Sequence, residues 1–461
     1  MEKPIFKHKH FLSFYGDDFT GSTDVLETLA LNGIPAALFL EAPEISEVEA
    51  FELKVGVGAT KGSRKIKAFG VAGVSRSLNP GEMDHELPPI FEKISAVKTD
   101  FFHYKVCSTF DSAVNTGNIG HAVELALKYF PASYIPLLVG APFLNRFVVF
   151  GNLFARVHEN TYRLDRHPTM SKHPVTPMTE SDLRLHLKQQ TTRPMALVDQ
   201  FALEEQYGDV QDYLKELING SGGYVLFDTT TVDHLTTIGK LLMTFQNGDS
   251  SLLVGSSGVE YALAFYLQQQ AKISSVKQVI DAGEAPNMVV TAGSAAPGTA
   301  EQIRHMETLG HTAIRLKTEK LLDPMESAGE SERSASQAVQ CLERKQVPML
   351  YTALGPDDPA IRSTAQAAGK LGLNPNEIGS QIAQAQGKVL KEIIHKAGKL
   401  RVARVLGIYA LETLCPIAPG APLCVAHSND PLIDGLEIAL KGGQNGNEKY
   451  FESIYKGKPI N

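Results

Sequence analysis

Between Tyr15 and Asp24 the chain reads YGDDFTGSTD, which puts two adjacent carboxylates, Asp17 and Asp18, next to Thr20 and Gly21 in a single turn. A positioned carboxylate does general acid–base work on a hydroxyl, and a turn that opens a helix offers free N–H groups to an anion. Helix capping needs only one such acid. The surplus marks Asp17, Asp18 and Thr20 as candidates for handling a small acidic, hydroxylated substrate.

Two later segments carry matching chemistry. VAGVSRS, Val71 to Ser77, places Arg76 after a run of small residues, where a guanidinium can grip a carboxylate bidentately, although a surface arginine has the same pattern. HYKVCSTFDSAVNTGNIG, from His103, delivers Lys105, Ser108, Thr109, Asp111 and Ser112 from the end of a strand. One cation, several hydroxyls and a carboxylate suit a polyhydroxy acid. Cys107 beside them reads as a small buried residue rather than a nucleophile.

Glycine- and serine-rich turns follow further on. VGSSG (Ser256, Ser257), TAGSAAPG (Gly293), LGPDDP (Gly355) and KGGQNG (Gly443) can cradle phosphate through backbone N–H groups. None matches GxxxxGK[ST] or GxGxxG, so a dehydrogenase reading lacks its fingerprint. The 14 histidines form no HExxH pair, and no metal-ligand spacing appears.

The elements that must position these groups alternate. FLSFYG, AALFL, AFGVAG, DFFHYKVC, YIPLLVG, MALVD, YVLFD and SLLVG read as buried strands separated by helical patterns, with a first helix at Ser22 to Asn32. Such alternation predicts α/β architecture with a largely parallel sheet. Residues 143–192, rich in Arg, His, Pro and Thr, read as an excursion with little regular structure. Periodicity fades across VKQVIDAGEAPN and a second α/β set begins at MVVTAG, continues through TAIRL and PMLYTAL, and ends near PLCVAHS and LEIAL. Two α/β domains are expected, 1–272 and 287–461. ESAGESERSASQAVQ reads as a polar loop leading into a helix.

Composition sets the outer bounds. At 461 residues, with 43% hydrophobic and 21% charged residues, the chain is long enough for two domains with sizeable cores. A net charge of −7 provides no global field for a nucleic-acid backbone. The four cysteines show no CxxC spacing. No apolar run approaches the ~20 residues that span a bilayer, and the first residues are too charged for a secretory leader. The expectation is a cytoplasmic enzyme with reduced thiols, binding neither nucleic acid nor membrane, with its oligomeric state open and a homo-oligomer allowed.

The ordered set GDDFTGSTD, VAGVSRS, KVCSTFDS, VGSSGVEYAL, TAGSAAPGTAEQI, GPDDP, APGAPLC and LKGGQNG resembles the four-carbon acid sugar kinase family over nearly the whole chain. The resemblance implies a sugar-acid-binding α/β domain followed by a nucleotide-binding one, with a cleft between them, ATP as phosphoryl donor and Mg²⁺ on its phosphates. The acceptor would be a hydroxyl of threonate, erythronate, 3-oxo-tetronate or a branched relative such as 3-oxo-isoapionate. Residue by residue it assigns Asp17, Asp18, Thr20, Arg76, Lys105, Ser108 and Asp111 to the sugar acid, with Asp17 or Asp18 as the catalytic carboxylate. Arg146, in FLNRFVVFGN, matches a family arginine less closely, because Asn145 replaces the expected glycine. Ser256, Ser257, Gly293, Gly355 and Gly443 fall to the nucleotide.

One departure stands out. The family pattern has a strand and a Gly-Gly-Asp-Thr-Ser-Gly loop before its Leu-Gly-Ile segment, whereas here LKEIIHKAGK runs directly into RVARVLGIYAL. Loss of an interior strand would leave ladder groups unpaired. The sequence thus points either to a chain lacking residues of its natural polypeptide near Leu400 or to a natural member that binds a sugar acid but is catalytically impaired.

Overall fold

The computed structural model describes residues 6–55, 62–157, 159–173, 175–221, 223–246, 248–273, 287–293, 295, 297–398, 404–408, 423–425 and 451–453. Residues 1–55 and 60–279 belong to one unit, and 280–461 to a second.

In chain order the strands of the first unit are β1 (His10–Gly16), β2 (Ala36–Phe39), β3 (Glu52–Val55), β4 (Gly62–Lys65), β5 (Ala68–Ala72), β6 (Thr99–Lys105) and β7 (Ile135–Leu138). They continue with β8 (Arg146–Val149), β9 (Asn152–Val157), β10 (Asn160–Arg163), β11 (Met195–Val198), β12 (Tyr224–Phe227) and β13 (Ser251–Gly255). Eight of them form one sheet in the order β11-β12-β7-β13-β6-β1-β5-β2. Every pairing in it is parallel. All carboxyl ends therefore lie along one edge, where ligands of open α/β sheets gather.

β1 is interior, and each of its residues is buried. Leu12 and Phe14 join a core with Val25, Leu29 and Phe101, while Tyr15 stacks on Tyr104 and meets the edge of Phe91. Burying each such side chain contributes about 1.5–3 kcal/mol, so the position of the chain that follows β1 is firmly set. The helix Phe19–Leu31 starts three residues earlier than its apolar pattern suggests, because Asp18 caps it by accepting the Gly21 N–H at 2.6 Å. Gly33, at φ +75°, then turns the chain toward β2.

The excursion at 143–192 is more regular than its composition implies. β8, β9 and β10 form an antiparallel sheet, with the short helix Leu183–Leu187 after it. The strands are short and partly exposed, and the last reads NTYR. They therefore lack the apolar run by which a buried strand is recognised.

The second unit carries β14 (Met288–Ala292), β15 (Thr312–Arg315), β16 (Pro348–Tyr351), β17 (Arg404–Ile408), β18 (Leu423–Val425) and β19 (Phe451–Ser453). Their order is β15-β16-β14-β17-β18-β19, parallel except for β19 against β18. Met288, Val290, Ile303, Met306, Met349 and Tyr351 supply its core. The polar stretch from Ser327 is itself helical, as Ser327–Glu343, since its Ala and Cys residues recur on one buried face.

Arg404–Ile408 does not prolong a helix from LKEIIHKAGK. That helix, Pro375–Ala397, ends at Gly398, and RVLGI becomes β17, paired with β14 from Met288↔Arg404 to Ala292↔Ile408. The segment that follows the missing loop thus supplies the strand beside β14. LEIAL and Gly443 lie outside the described residues.

Candidate active site

Gly16, the last residue of β1, pairs in register with Lys105, the last of β6, and with Ala72, the last of β5. Asp17, Arg76 and Lys105 thereby leave three adjacent strand ends. The Asp17 N–H donates to the Lys105 carbonyl at 2.9 Å and the Arg76 N–H to the Asp17 carbonyl at 2.9 Å. Backbone alone thus stitches the three loops together.

The side chains close the constellation. Arg76 donates from Nη2 to Asp17 Oδ1 at 2.6 Å, from Nε to Asp17 Oδ2 at 3.2 Å and from Nη1 to Asp18 Oδ2 at 2.5 Å. Lys105, 1% exposed, donates from Nζ to the Val106 carbonyl at 3.1 Å and lies 3.2 Å from Asp24 Oδ2. A Cβ on Gly21 would stand 2.7 Å from Asp18 Oδ1, 3.2 Å from Lys105 Nζ and 3.8 Å from Arg76 Nη2. Acid, lysine and arginine therefore converge over a residue with no side chain. Gly117, at φ +61°, keeps the Arg76 backbone in place, since a Cβ there would fall 2.7 Å from the Arg76 carbonyl.

Burial and charge set the protonation states. Burial pushes the Asp17 carboxyl up to about 6, with Arg76 opposing and Asp18 adding to the rise. Burial works against the Arg76 and Lys105 charges. Asp17 and Asp18 outweigh it at Arg76, Asp24 leads at Lys105, and both cations sit above their ordinary values. Burial, with the Asp111 charge behind it, pushes the Cys107 thiol up to about 11, and Cys107 Sγ lies 2.9 Å from Thr109 Oγ1. A thiol so held is no nucleophile near neutrality.

The remaining sugar-side candidates spread outward. Thr20 sits half-buried in the first helical turn, and Ser108 and Asp111 follow β6. Asp111 Oδ1 is buried with no hydrogen-bond partner. Arg146 opens β8 and donates to the Leu144 carbonyl at 3.0 Å. Its charge and that of Asp111 are both felt at His167, whose pKa burial lowers. Asp24 was not singled out by the sequence, although it closes the motif there; its role as the Lys105 counter-charge needed the fold.

Ser256 and Ser257, expected at the nucleotide, lie in the first unit, directly after β13. Ser256 Oγ donates to the Val139 carbonyl at 2.7 Å and accepts the Gly258 N–H at 3.1 Å, and Ser257 Oγ is buried without a partner. Gly293 follows β14 in the second unit and is exposed, and Gly355, at φ +100°, turns the chain after β16. Around Gly355 an open pocket of roughly 410 Å³ is lined by Glu301, Arg304, Arg315 and Asp357. Thr291 Oγ1 and Thr299 Oγ1, at the end of β14 and in the first turn of helix Pro297–Thr308, are buried without partners. Donors of this kind at a helix start fit a phosphate-bearing group.

An acidic and cationic cluster at the strand ends of one α/β unit, and buried hydroxyls at a strand end and helix start of another, suit a two-domain small-molecule kinase. Family models agree with that division: a sugar-binding N-terminal domain matches residues 12–263 and a nucleotide-binding C-terminal domain matches 289–451. The chain belongs to the four-carbon acid sugar kinase family and is a sugar-acid kinase. It is 36% identical to 3-oxo-isoapionate kinase of Paraburkholderia graminis, over 97% of this chain and 94% of that protein. With 3-oxo-tetronate kinase of Pectobacterium atrosepticum it shares 26% identity, over 96% and 98%. The fold resembles a DUF1537 protein from Haemophilus influenzae, at 19% identity, TM-score 0.59 and 87% coverage of each chain. No described helix is long and apolar enough to cross a membrane.

Proposed function

We propose that this kinase transfers the γ-phosphoryl group of ATP to a hydroxyl of a branched 3-oxo sugar acid of the 3-oxo-isoapionate type. The observation that carries the chemistry is the Asp17–Arg76–Asp18 bridge beside the buried Lys105 at the carboxyl ends of β1, β5 and β6. The branched acid is favoured by the 36% identity to the 3-oxo-isoapionate kinase, against 26% to the 3-oxo-tetronate kinase.

In this mechanism Asp18 accepts the proton of the attacking hydroxyl. It is the more accessible of the pair, with its side chain 20% exposed against 3% for Asp17, and it keeps acceptor capacity beyond its bonds to Gly21 and Arg76. Asp17 holds Arg76, and the remaining Arg76 hydrogens, with Lys105, bind the substrate carboxylate. Asp111 Oδ1 takes a second hydroxyl. Gly293 and the buried Thr291 and Thr299 hydroxyls would hold ATP phosphates on the second unit, and Ser256 or Ser257 belongs to the substrate machinery of the first. ATP as its magnesium complex would supply the phosphoryl group, and the metal would neutralise phosphate charge. The residues of this chain supply position, charge and a proton acceptor.

ADP release with ATP and Mg²⁺ across a panel of 3-oxo-isoapionate, 3-oxo-tetronate, threonate and erythronate tests the reading. The highest kcat/KM is expected for the branched 3-oxo acid. A clear preference for a straight four-carbon acid would overturn the substrate assignment.

The missing Gly-Gly-Asp-Thr-Ser-Gly loop favours a second reading, a member that binds the acid without phosphoryl transfer. A rise in Tm with sugar acid, no response to ATP and no ADP formed would establish it.

A further inference from the structure

His103 stands on β6 two residues before Lys105, and both of its ring nitrogens face acceptors. Nδ1 lies 2.5 Å from Glu260 Oε1 and Nε2 lies 3.1 Å from the Gly255 carbonyl oxygen. The side chains of His103 and Glu260 are fully buried. The same Gly255 carbonyl accepts the Val106 N–H at 2.8 Å, and Lys105 Nζ donates to the Val106 carbonyl. Gly255 is also the register partner of Lys105.

Glu260 has a local alternative that it does not take. Ser257-Gly258-Val259-Glu260 has the spacing of a capping box, in which serine and glutamate satisfy each other's backbone N–H groups at a helix start. Here Ser257 has φ −58° and makes no side-chain cap bond at the head of helix Gly258–Gln269. Glu260 is turned to His103 instead. A single imidazole thus joins three elements: β6 beside Lys105, the last residue of β13, and the helix that Ser256 and Ser257 open.

We infer that His103 and Glu260 are positioning residues for phosphoryl transfer, fixing the turn from Gly255 to Gly258 against the strand end that carries Lys105. The inference rests on the reading above that Ser256 or Ser257 belongs to the substrate machinery. A purely structural pair would lend stability to the sheet and nothing more. A positioning pair also governs turnover, because a shift of about 1 Å in a catalytic element costs about a hundredfold.

The test is a set of variants compared by Tm and steady-state kinetics. Removing one partner leaves a buried polar group unpaired, so both are replaced together by apolar groups of similar size, His103→Phe with Glu260→Leu. The expected result is a folded protein whose kcat falls by about a hundredfold, with a smaller change in KM. Glu260→Gln, which keeps the bond to Nδ1, is expected to restore kcat to within about tenfold of wild type. A folded double variant with wild-type kcat overturns the proposal. If the double variant does not fold, His103→Gln, which keeps one of the two bonds, serves in its place, and wild-type kcat there overturns it equally. Ser256→Ala and Ser257→Ala are measured in parallel. Unchanged kinetics in both remove the turn from the site and the inference with it, whereas altered kinetics in either beside a fully active double variant reject the positioning role alone.

Discussion

Arg76 holds both oxygens of Asp17, through Nη2 at 2.6 Å and Nε at 3.2 Å, and the second arm of the same guanidinium reaches Asp18 at 2.5 Å. Two neighbouring carboxylates that would otherwise repel are made one unit by a planar fork. A lysine ammonium is a point charge and cannot bridge both with that geometry. Arg76→Lys is expected to lower kcat/KM at least ~100-fold, the scale of losing one preorganised donor. Steady-state assays within about threefold of wild type would show that the fork is dispensable.

Asp18→Asn separates proton acceptance from capping. Asparagine caps a helix as well as aspartate, so the bond to the Gly21 N–H is expected to survive and Tm to hold. Turnover is expected to fall ~10²–10⁴-fold, as for loss of a general base. Near-normal turnover would remove Asp18 from the chemistry.

Asp17 makes stability depend on pH with a fixed sign. Its carboxyl, normally near 3.8, is raised to about 6 by burial, Arg76 opposing and Asp18 adding. The folded state therefore holds the proton more tightly than the unfolded state. That contribution is full below the unfolded value and is lost as pH rises through about 6. Asp17→Asn lacks the titration. Urea unfolding from pH 4 to 7 is expected to show wild type losing stability relative to Asp17→Asn as pH rises, and a constant difference would refute the shift.

Gly21→Ala sets two local effects against each other. Alanine gains about 1 kcal/mol of helix propensity, but its Cβ would stand 2.7 Å from Asp18 Oδ1, the atom that caps the helix, and a lost cap costs about 1 kcal/mol. Little net change in Tm is expected, with a substantial loss of kcat/KM as the Asp18 carboxylate is displaced. Unchanged kinetics would mean that the space over Gly21 is not used.

Much of the first unit is legible in the amino-acid sequence because its signals are local. The apolar run of β1 and the acids after it mark a strand end, and the run before Lys105 marks the end of β6 in the same way. Strand order is not local. Nothing near residue 76 says that β5 lies beside β1, so Arg76 reads as a free ligand for a carboxylate, whereas the fold commits three of its bonds to Asp17 and Asp18. His103 and Glu260 lie 157 positions apart, and the capping-box spacing at Ser257 masks the partnership. Ser256 and Ser257 followed the family pattern to the nucleotide, while their covalent place is the sugar-binding unit. RVLGI was obscured by the missing loop before it, and its place between β14 and β18 needed the fold.

The antiparallel sheet of β8, β9 and β10 leaves the chain between β7 and β11 of the parallel sheet and is tied to the segment after β12, where Val148 and Thr229 exchange backbone hydrogen bonds and Asp228 accepts the Phe150 and Gly151 N–H groups. None of its strands contributes a rung to the eight-stranded sheet, so β9 and β10 can change in length without unpairing one. Arg146 rides on this appendage and Asp17, Asp18 and Lys105 do not. We propose that remodelling this appendage changes the surroundings of Arg146 while leaving in place the strand ends that carry Asp17, Asp18 and Lys105.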